Sequence, residues 1–214
     1  MVIIGADGHA KEILSICSQL KISEEIFFFD NVSKNLPERL FSKYKIVRSF
    51  DAIASLFKKN AAFVLGTGDP LTRYRLFKKC MKIGGRPVSI ISPRASIGED
   101  AIHLGRGLNI MTGVVITNDI SIGDGTLINS QVSIHHGVKI GKFCEISPGA
   151  HVTGKSTIGD FSFIGTGAIL LPGVSLGKNV IVGAGAVVTK DIRDNEVAVG
   201  VPAKVIKKRP QLSL

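Results

Sequence analysis

The chain of 214 residues has room for one large domain or two small ones, its 44% apolar content can fill a core, and its three cysteines suggest neither a disulfide framework nor a zinc spacing. The apolar run before Asp7 is too short for a signal peptide and no stretch approaches a membrane span, so a cytoplasmic protein is expected. The net charge of +10 favours an anionic partner, and with 6% aromatics and no Trp to stack bases, a phosphate-bearing small molecule fits better than nucleic acid.

The first 90 or so residues alternate short apolar strands with helical patterns, as a parallel α/β unit does. Strands are predicted over Val2–Ile4, Ile26–Phe29, Tyr44–Val47, Ala62–Leu65 and Val88–Ile91, and helices over Ala10–Leu20, Asp51–Lys58 and Pro70–Met81. Where the first strand runs through Gly5, Ala6, Asp7 and Gly8 into a helix, free backbone amides offer a place for a phosphate. The turn lacks the G-x-G-x-x-G spacing of dinucleotide sites, and a tight ligand-free turn is the other reading. Asp30 closes the second strand, where a carboxylate either accepts hydrogen bonds from a ligand or caps the following turn.

From Leu104 to Val188 an aliphatic residue recurs at every sixth position, fifteen times without a miss. At this chain's share of Ile, Leu and Val, chance gives such a run with a probability on the order of 10⁻⁸. Many of these anchors are followed by glycine, and the fourth residue after each is small or aliphatic, as in Val132, Val138, Ala150 and Ala168. A helix would not tolerate so much glycine, whereas a short strand and a corner per hexad would. Three hexads per coil stack residues eighteen apart, so Ile122, Ile140, Ile158 and Leu176 are expected to form one internal ladder. The unbroken register predicts about five coils with no protruding loop.

The opening VIIGADGHAKEI, the strand end FFFDN, the middle segment LINSQVSIHHGVKIGKFCEISPGAHVTG and the closing VGAGAVVTKDI and GVPAKVI together resemble the left-handed β-helix acyltransferases. Within these, the chain is similar to the bacterial nucleotide-amino-sugar N-acetyltransferases and the related sialic acid O-acetyltransferase group. The resemblance implies an α/β Rossmann-like domain over residues 1–92 that holds a nucleotide sugar, then a left-handed parallel β-helix over 93–214. It also implies a homotrimer, acetyl-CoA as cosubstrate, no metal and no nucleic-acid partner.

Carried over residue by residue, the resemblance makes His136 the general base rather than its neighbour His135. It places the acceptor against Gly8, His9, Asp30, Asn31, Gly66, Thr67 and Asn129, the alternative for Asn129, less favoured, being a hydrogen bond along its coil. The cofactor would lie against Glu145, Gly154, Thr166, Ala184, Gly185, Pro202 and Lys204, with Lys207, Lys208 and Arg209 near its phosphates or simply solvated. Gly154, eighteen residues beyond His136, would sit beside it and offer a backbone N–H to the thioester oxyanion.

Two departures bear on the acceptor. Gly137 stands where the resembled N-acetyltransferases often carry a carboxylate that orients the histidine, so either Asp119 or Glu145 substitutes from a neighbouring strand or subunit or the base works without one; Glu145 itself stands where those enzymes often have histidine. The leading expectation is N-acetylation of a nucleotide-linked amino sugar. The alternative is O-acetylation of a sialic-acid-like sugar. A zinc carbonic anhydrase would need three placed histidines, for which only His135, His136 and His151 are at hand, and a non-enzymatic scaffold would not bind CoA.

Overall fold

The computed structural model describes residues 1–213. The N-terminal part is a six-stranded sheet in the order β3-β4-β2-β1-β5-β6, built from β1 (Val2–Ile4), β2 (Phe27–Phe29), β3 (Arg39–Leu40), β4 (Tyr44–Val47), β5 (Ala62–Leu65) and β6 (Arg86–Pro87). All neighbours pair in parallel except the edge strand β3. The continuous apolar strands reflect burial on both faces. Helix α1 (Gly8–Gln19) covers one face through Ala10, Ile13, Ile16 and Cys17. Helices α2 (Phe50–Phe57) and α3 (Pro70–Lys82) cover the other through Ile53, Phe57, Phe77 and Cys80. Ser49 and Asp69 cap α2 and α3 by accepting from the amides of Ala52 and Thr72. All three cysteines are free and buried, and burial pushes their thiols up, Cys17 to about 11 and Cys80 and Cys144 to about 12.

The predicted strand over Val88–Ile91 is not one element. Arg86–Pro87 pairs with β5, and Val88 still donates to Phe63, but Ile90–Ile91 pairs with Asn109–Ile110 and so starts the first coil of the second part. The run is apolar throughout, and its change of partner at Ser89 leaves no mark in hydrophobic pattern.

The second part is a three-sided prism of parallel two- and three-residue strands. Its first side carries Asn109, Leu127, Glu145, Phe163 and Ile181 outward, its second Val115, Ser133, His151, Ile169 and Val187, and its third Ser121, Lys139, Thr157 and Ser175. The anchors fill the interior, and the expected ladder of Ile122, Ile140, Ile158 and Leu176 is present. Each corner holds one residue with positive φ, often glycine, as at Gly137 (φ 72°) and Gly185 (φ 65°). On the edge between third and first sides Gly123, Gly141, Gly159 and Gly177 stack so closely that a Cβ on Gly159 would lie 2.5 Å from the Gly177 backbone. The antiparallel pair Glu196–Val199 and Lys204–Lys208 closes the far end.

The N-terminal part lies on the first side of the prism. Met111 and Leu127 join the core under α1, while Phe143 and Phe161, stacked 5.7 Å apart on the neighbouring edge, pack edge-on against Tyr74 of α3. The second and third sides are left uncovered.

Candidate active site

The sheet reverses its winding between β1 and β5, since β2 and β4 follow on one side of β1 and β5 and β6 on the other. In parallel α/β sheets the crevice beyond the carboxyl ends of such strands is where ligands bind. Here the two turns at that point touch: a Cβ on Gly5 would lie 2.7 Å from the Gly66 carbonyl oxygen, and one on Gly66 would meet Ala10 and Ile3 at 2.9 Å. Gly8, the first residue of α1, faces open space. The Asp7 carboxylate does not cap the helix but pairs with Lys11 at 2.8 Å, which leaves the first amides of α1 without a side-chain acceptor.

His9 closes the crevice on the prism side. Its Nδ1 meets Glu12 Oε2 at 3.2 Å, and its Nε2 accepts from Asn109 Nδ2 at 2.8 Å, while the same amide donates to the Leu65 carbonyl at 2.6 Å. Burial, with the nearby Arg73 guanidinium, pulls the imidazole down to about 4, so it stays neutral. Asp30 caps its turn: Oδ1 accepts from the Val32 and Ser33 amides at 2.9 and 2.8 Å and Oδ2 from the Ser33 hydroxyl at 2.9 Å. Burial raises this carboxyl, but those hydrogen bonds outweigh it and hold it below the usual range. Asn31 beside it is exposed.

Two polar residues at the seam were not singled out from sequence. Arg73 is fully buried on α3; its Nε donates to the Gly125 carbonyl at 2.9 Å and its Nη1 to those of Thr67 and Leu65 at 2.7 and 3.3 Å, tying the Gly66–Gly68 turn to the prism. Its spacing to Phe77 and Cys80 on the apolar stripe of α3 was the available signal, a charge where the helix period demands a hydrophobe. Asn109 sits at the outward position of a coil, where nothing in the hexad pattern separates it from a solvated residue.

Glu145 is the outward residue of the coil facing this seam. Its Oε2 lies 3.0 Å from where a Cβ of Gly68 would stand, and its other oxygen accepts from the Ser147 hydroxyl at a long 3.4 Å. Burial raises its carboxyl, Arg73 opposes that, and Asp69 and Glu12 add to the rise. Asn129, on the next corner, accepts from the Ser130 amide at 2.7 Å.

His136 is elsewhere. It is exposed on the edge between second and third sides, the vertex of the prism opposite the covered first side. Gly154 is stacked next to it: a Cβ there would lie 2.6 Å from His136 Nε2, and the Lys155 amide donates to the His136 carbonyl at 2.8 Å. Among the described residues the His136 ring has no hydrogen-bond partner and the Gly154 amide no acceptor. Asp119 lies one coil below on the same edge, joined to Gly137 only through its backbone carbonyl. His135 is half-buried on the turn. His151 points from the second side and shares a 2.7 Å hydrogen bond with Ser133.

Thr166, Ala184 and Gly185 line a third edge, between first and second sides, with the Gly185 amide donating to the Thr166 carbonyl. Pro202 and Lys204 flank Ala203, whose amide donates to Val187 at the top of the second side. The structure therefore gathers Gly8, His9, Gly66, Thr67 and Glu145 at one seam, with Asp30 and Asn31 ending the adjoining strand, and sets His136 and Gly154 on the opposite vertex of the same chain.

Residues 1–80 match the PglD N-terminal domain, and residues 119–154 and 155–190 match the bacterial transferase hexapeptide (six repeats) family. A histidine-to-asparagine mutant of perosamine N-acetyltransferase from Caulobacter crescentus, solved in complex with CoA and GDP-perosamine, is 31% identical over 97% of this chain and 96% of that one, with a TM-score of 0.88. The chain belongs to the left-handed β-helix sugar acetyltransferases. The acetyltransferase domain of PglB from Neisseria gonorrhoeae is also similar, at 27% identity over 96% of this chain and 98% of that one, with a TM-score of 0.84. WeeI from Acinetobacter baumannii follows at 26% identity over 96% and 98%, with a TM-score of 0.85. No curated protein sequence matches the chain. This sugar acetyltransferase has no helix, among the described residues, long and apolar enough to cross a membrane.

Proposed function

We propose that this sugar acetyltransferase moves an acetyl group from acetyl-CoA to the amino group of a nucleotide-linked sugar, in a homotrimer whose active sites lie between subunits. The observation that carries the reading is the crevice at the β1–β5 switch point, in a chain similar over nearly its whole length to an N-acetyltransferase bound to CoA and GDP-perosamine. The N-terminal Rossmann-like domain, residues 1–92, holds the nucleotide at Gly8 and His9, at Asp30 with Asn31, and at Gly66 and Thr67. The β-helix domain, residues 93–214, carries the acetyl donor.

Because His136 lies across the prism from the crevice of its own chain, the acceptor is served by the His136 of a neighbour. The second side, with Val115 43% exposed, Ile169 and Val187 also outward, and Leu171, 38% exposed, on its bounding edge, is the more apolar uncovered face and the natural subunit contact. The two edges bounding it carry His136 with Gly154 and Thr166 with Ala184 and Gly185, so contact along this face brings the two columns together along one groove. Gly149, Gly167, Gly173 and Gly185 on these edges have nothing within 4 Å of a Cβ, which leaves room for a pantetheine arm, and Lys204, Lys207 and Lys208 lie exposed at its end for phosphates.

The chemistry then needs little. His136 takes a proton from the acceptor nitrogen, the nitrogen attacks the thioester carbonyl, the Gly154 amide faces the oxygen that gains charge, and the CoA thiol leaves with a proton. Gly137 sits at a positive-φ corner that Asp119 and Lys155 also occupy one coil before and after it, so the backbone alone does not demand glycine there; the sialic acid O-acetyltransferase reading, which drew on that position, gains no contact from the structure. The test is thiol release from acetyl-CoA against UDP-, GDP- and dTDP-amino sugars and free sialic acids. Turnover with an amino sugar is expected; turnover confined to sialic acids would replace this reading with the O-acetyl one.

A further inference from the structure

Glu145 is a carboxylate without an adequate partner in a place prepared for one. Gly68 has no side chain, and that absence is what lets the carboxylate approach the Gly66–Gly68 turn. The nearest cation, Arg73, spends Nε and Nη1 on three backbone carbonyls, makes no ion pair with Glu145 within 4 Å, and keeps Nη2 buried with no partner. The carboxylate is left with a single 3.4 Å hydrogen bond from Ser147. A half-buried carboxylate so poorly satisfied carries a desolvation cost that an incoming donor relieves. The charged groups around it come from both helices that frame the crevice: Glu12 of α1, and Asp69 and Arg73 of α3. Arg73 acts on Glu145 more strongly than either acid, but counting Glu145 itself three carboxylates share this place with one guanidinium, a net negative charge that suits an incoming cation.

We propose that Glu145 binds the ammonium of the acceptor sugar and so selects an amino sugar over its hydroxyl counterpart, an inference that rests on the acceptor reading above. An ammonium offers three donors and one charge to a carboxylate short of both; a hydroxyl offers one donor and no charge. Glu145 is not the base in this scheme. It holds the protonated amine at the seam; one proton passes to solvent before attack, and the second leaves the nitrogen to His136 of the adjoining subunit as the nitrogen attacks, then passes to the departing CoA thiolate. Since burial raises the Glu145 carboxyl, amine binding weakens as pH falls through its titration, while hydroxyl-sugar binding does not.

The experiment uses the intact protein and calorimetry without acetyl-CoA, so that binding is read apart from turnover. The probes are 4-amino-4,6-dideoxyhexoses on GDP, UDP and dTDP, each with its 4-hydroxy counterpart, beginning with GDP-perosamine and GDP-rhamnose. Glu145→Gln, which keeps shape and removes charge, should weaken the amino sugar that binds wild type about tenfold or more while shifting its hydroxyl counterpart by less than about twofold. It should also abolish the acid-side loss of amine binding. Equal weakening of both sugars, or of neither, overturns the proposal and leaves Glu145 a structural partner of Arg73. A fall in kcat with unchanged amine binding overturns it in favour of Glu145 orienting His136. If wild type binds and acetylates no amino sugar at all, it is the acceptor reading that has failed, and this inference falls with it.

Discussion

At the scale of single residues, two histidines show how placement sets chemistry. His136 is exposed, unpartnered and stacked against a glycine, which suits a group that must meet a substrate; His136→Ala should lower kcat by roughly 10² to 10⁴ with acetyl-CoA affinity nearly unchanged, and His135→Ala should do far less. Near-normal turnover in a correctly assembled His136→Ala protein would point to attack by an already neutral amine. His9 is the reverse case. Burial, with the Arg73 guanidinium, lowers its imidazole from 6.5 to about 4 on folding, and the Nε2 that would take the proton already accepts from Asn109. A depressed histidine contributes stability that is complete above pH 6.5 and is lost as pH falls toward 4, a loss of roughly 2–3 kcal/mol. Denaturant unfolding at pH 7 and pH 5 should show it in wild type and much less in His9→Asn. Asp30 was legible as a strand-ending acid that meets a ligand or caps the following turn, and the structure shows the cap, with three donors already held. Asp30→Ala should raise the acceptor KM about tenfold and that of acetyl-CoA little, and equal effects on both would indicate a disturbed fold. Arg73 and Asn109 stayed hidden because sequence shows a charge or an amide but not the carbonyl it will meet across a domain seam.

At the scale of elements, the hexads were readable because each coil repeats the same physical demand: an inward aliphatic, a corner with positive φ, and a glycine where successive backbones nearly touch. The helices and the parallel strands up to Leu65 were readable to within a residue or two for the same reason, apolar strands between amphipathic helices, whereas the two-residue edge strand Arg39–Leu40 is too short to show a pattern and was not predicted. What sequence hid was partner choice, as in 86–91, where one apolar run serves two sheets. The glycine column makes the demand testable. A Cβ on Gly159 would press on the Gly177 backbone, which cannot swing aside as a side chain does, so Gly159→Ala should cost about 1–3 kcal/mol as overpacking does. For a chain of this size that is a Tm lower by roughly 3–10 °C. Thr157→Ala, two residues earlier and outward on the third side, should change Tm by much less, and equal shifts would mean that the close stacking carries no strain.

At the scale of the whole molecule, the prism makes a single chain an incomplete enzyme under the proposed mechanism. The N-terminal part occupies one side, His136 the opposite vertex, and the coils between them are filled with buried aliphatics, so no hinge within the chain can close the gap without unfolding its core. Association is therefore what would assemble the site, and a cyclic arrangement in which each chain offers its vertex to the next would complete every crevice. That yields a prediction about mixtures. A His136→Ala chain keeps an intact crevice, and an Asp30→Ala chain keeps an intact base; co-refolded in equal amounts, they should form trimers in which about a quarter of the interfaces pair the one's crevice with the other's histidine. At acceptor concentrations well below the Asp30→Ala KM, each parent alone should be nearly inactive and the mixture should recover close to a quarter of wild-type activity. Sedimentation of the wild type should give three chains. A mixture no more active than the mean of its parents, or a fully active monomer, would place crevice and base in one chain, and the distance across the prism would then have to be bridged by a movement that the packed core of this structure does not allow.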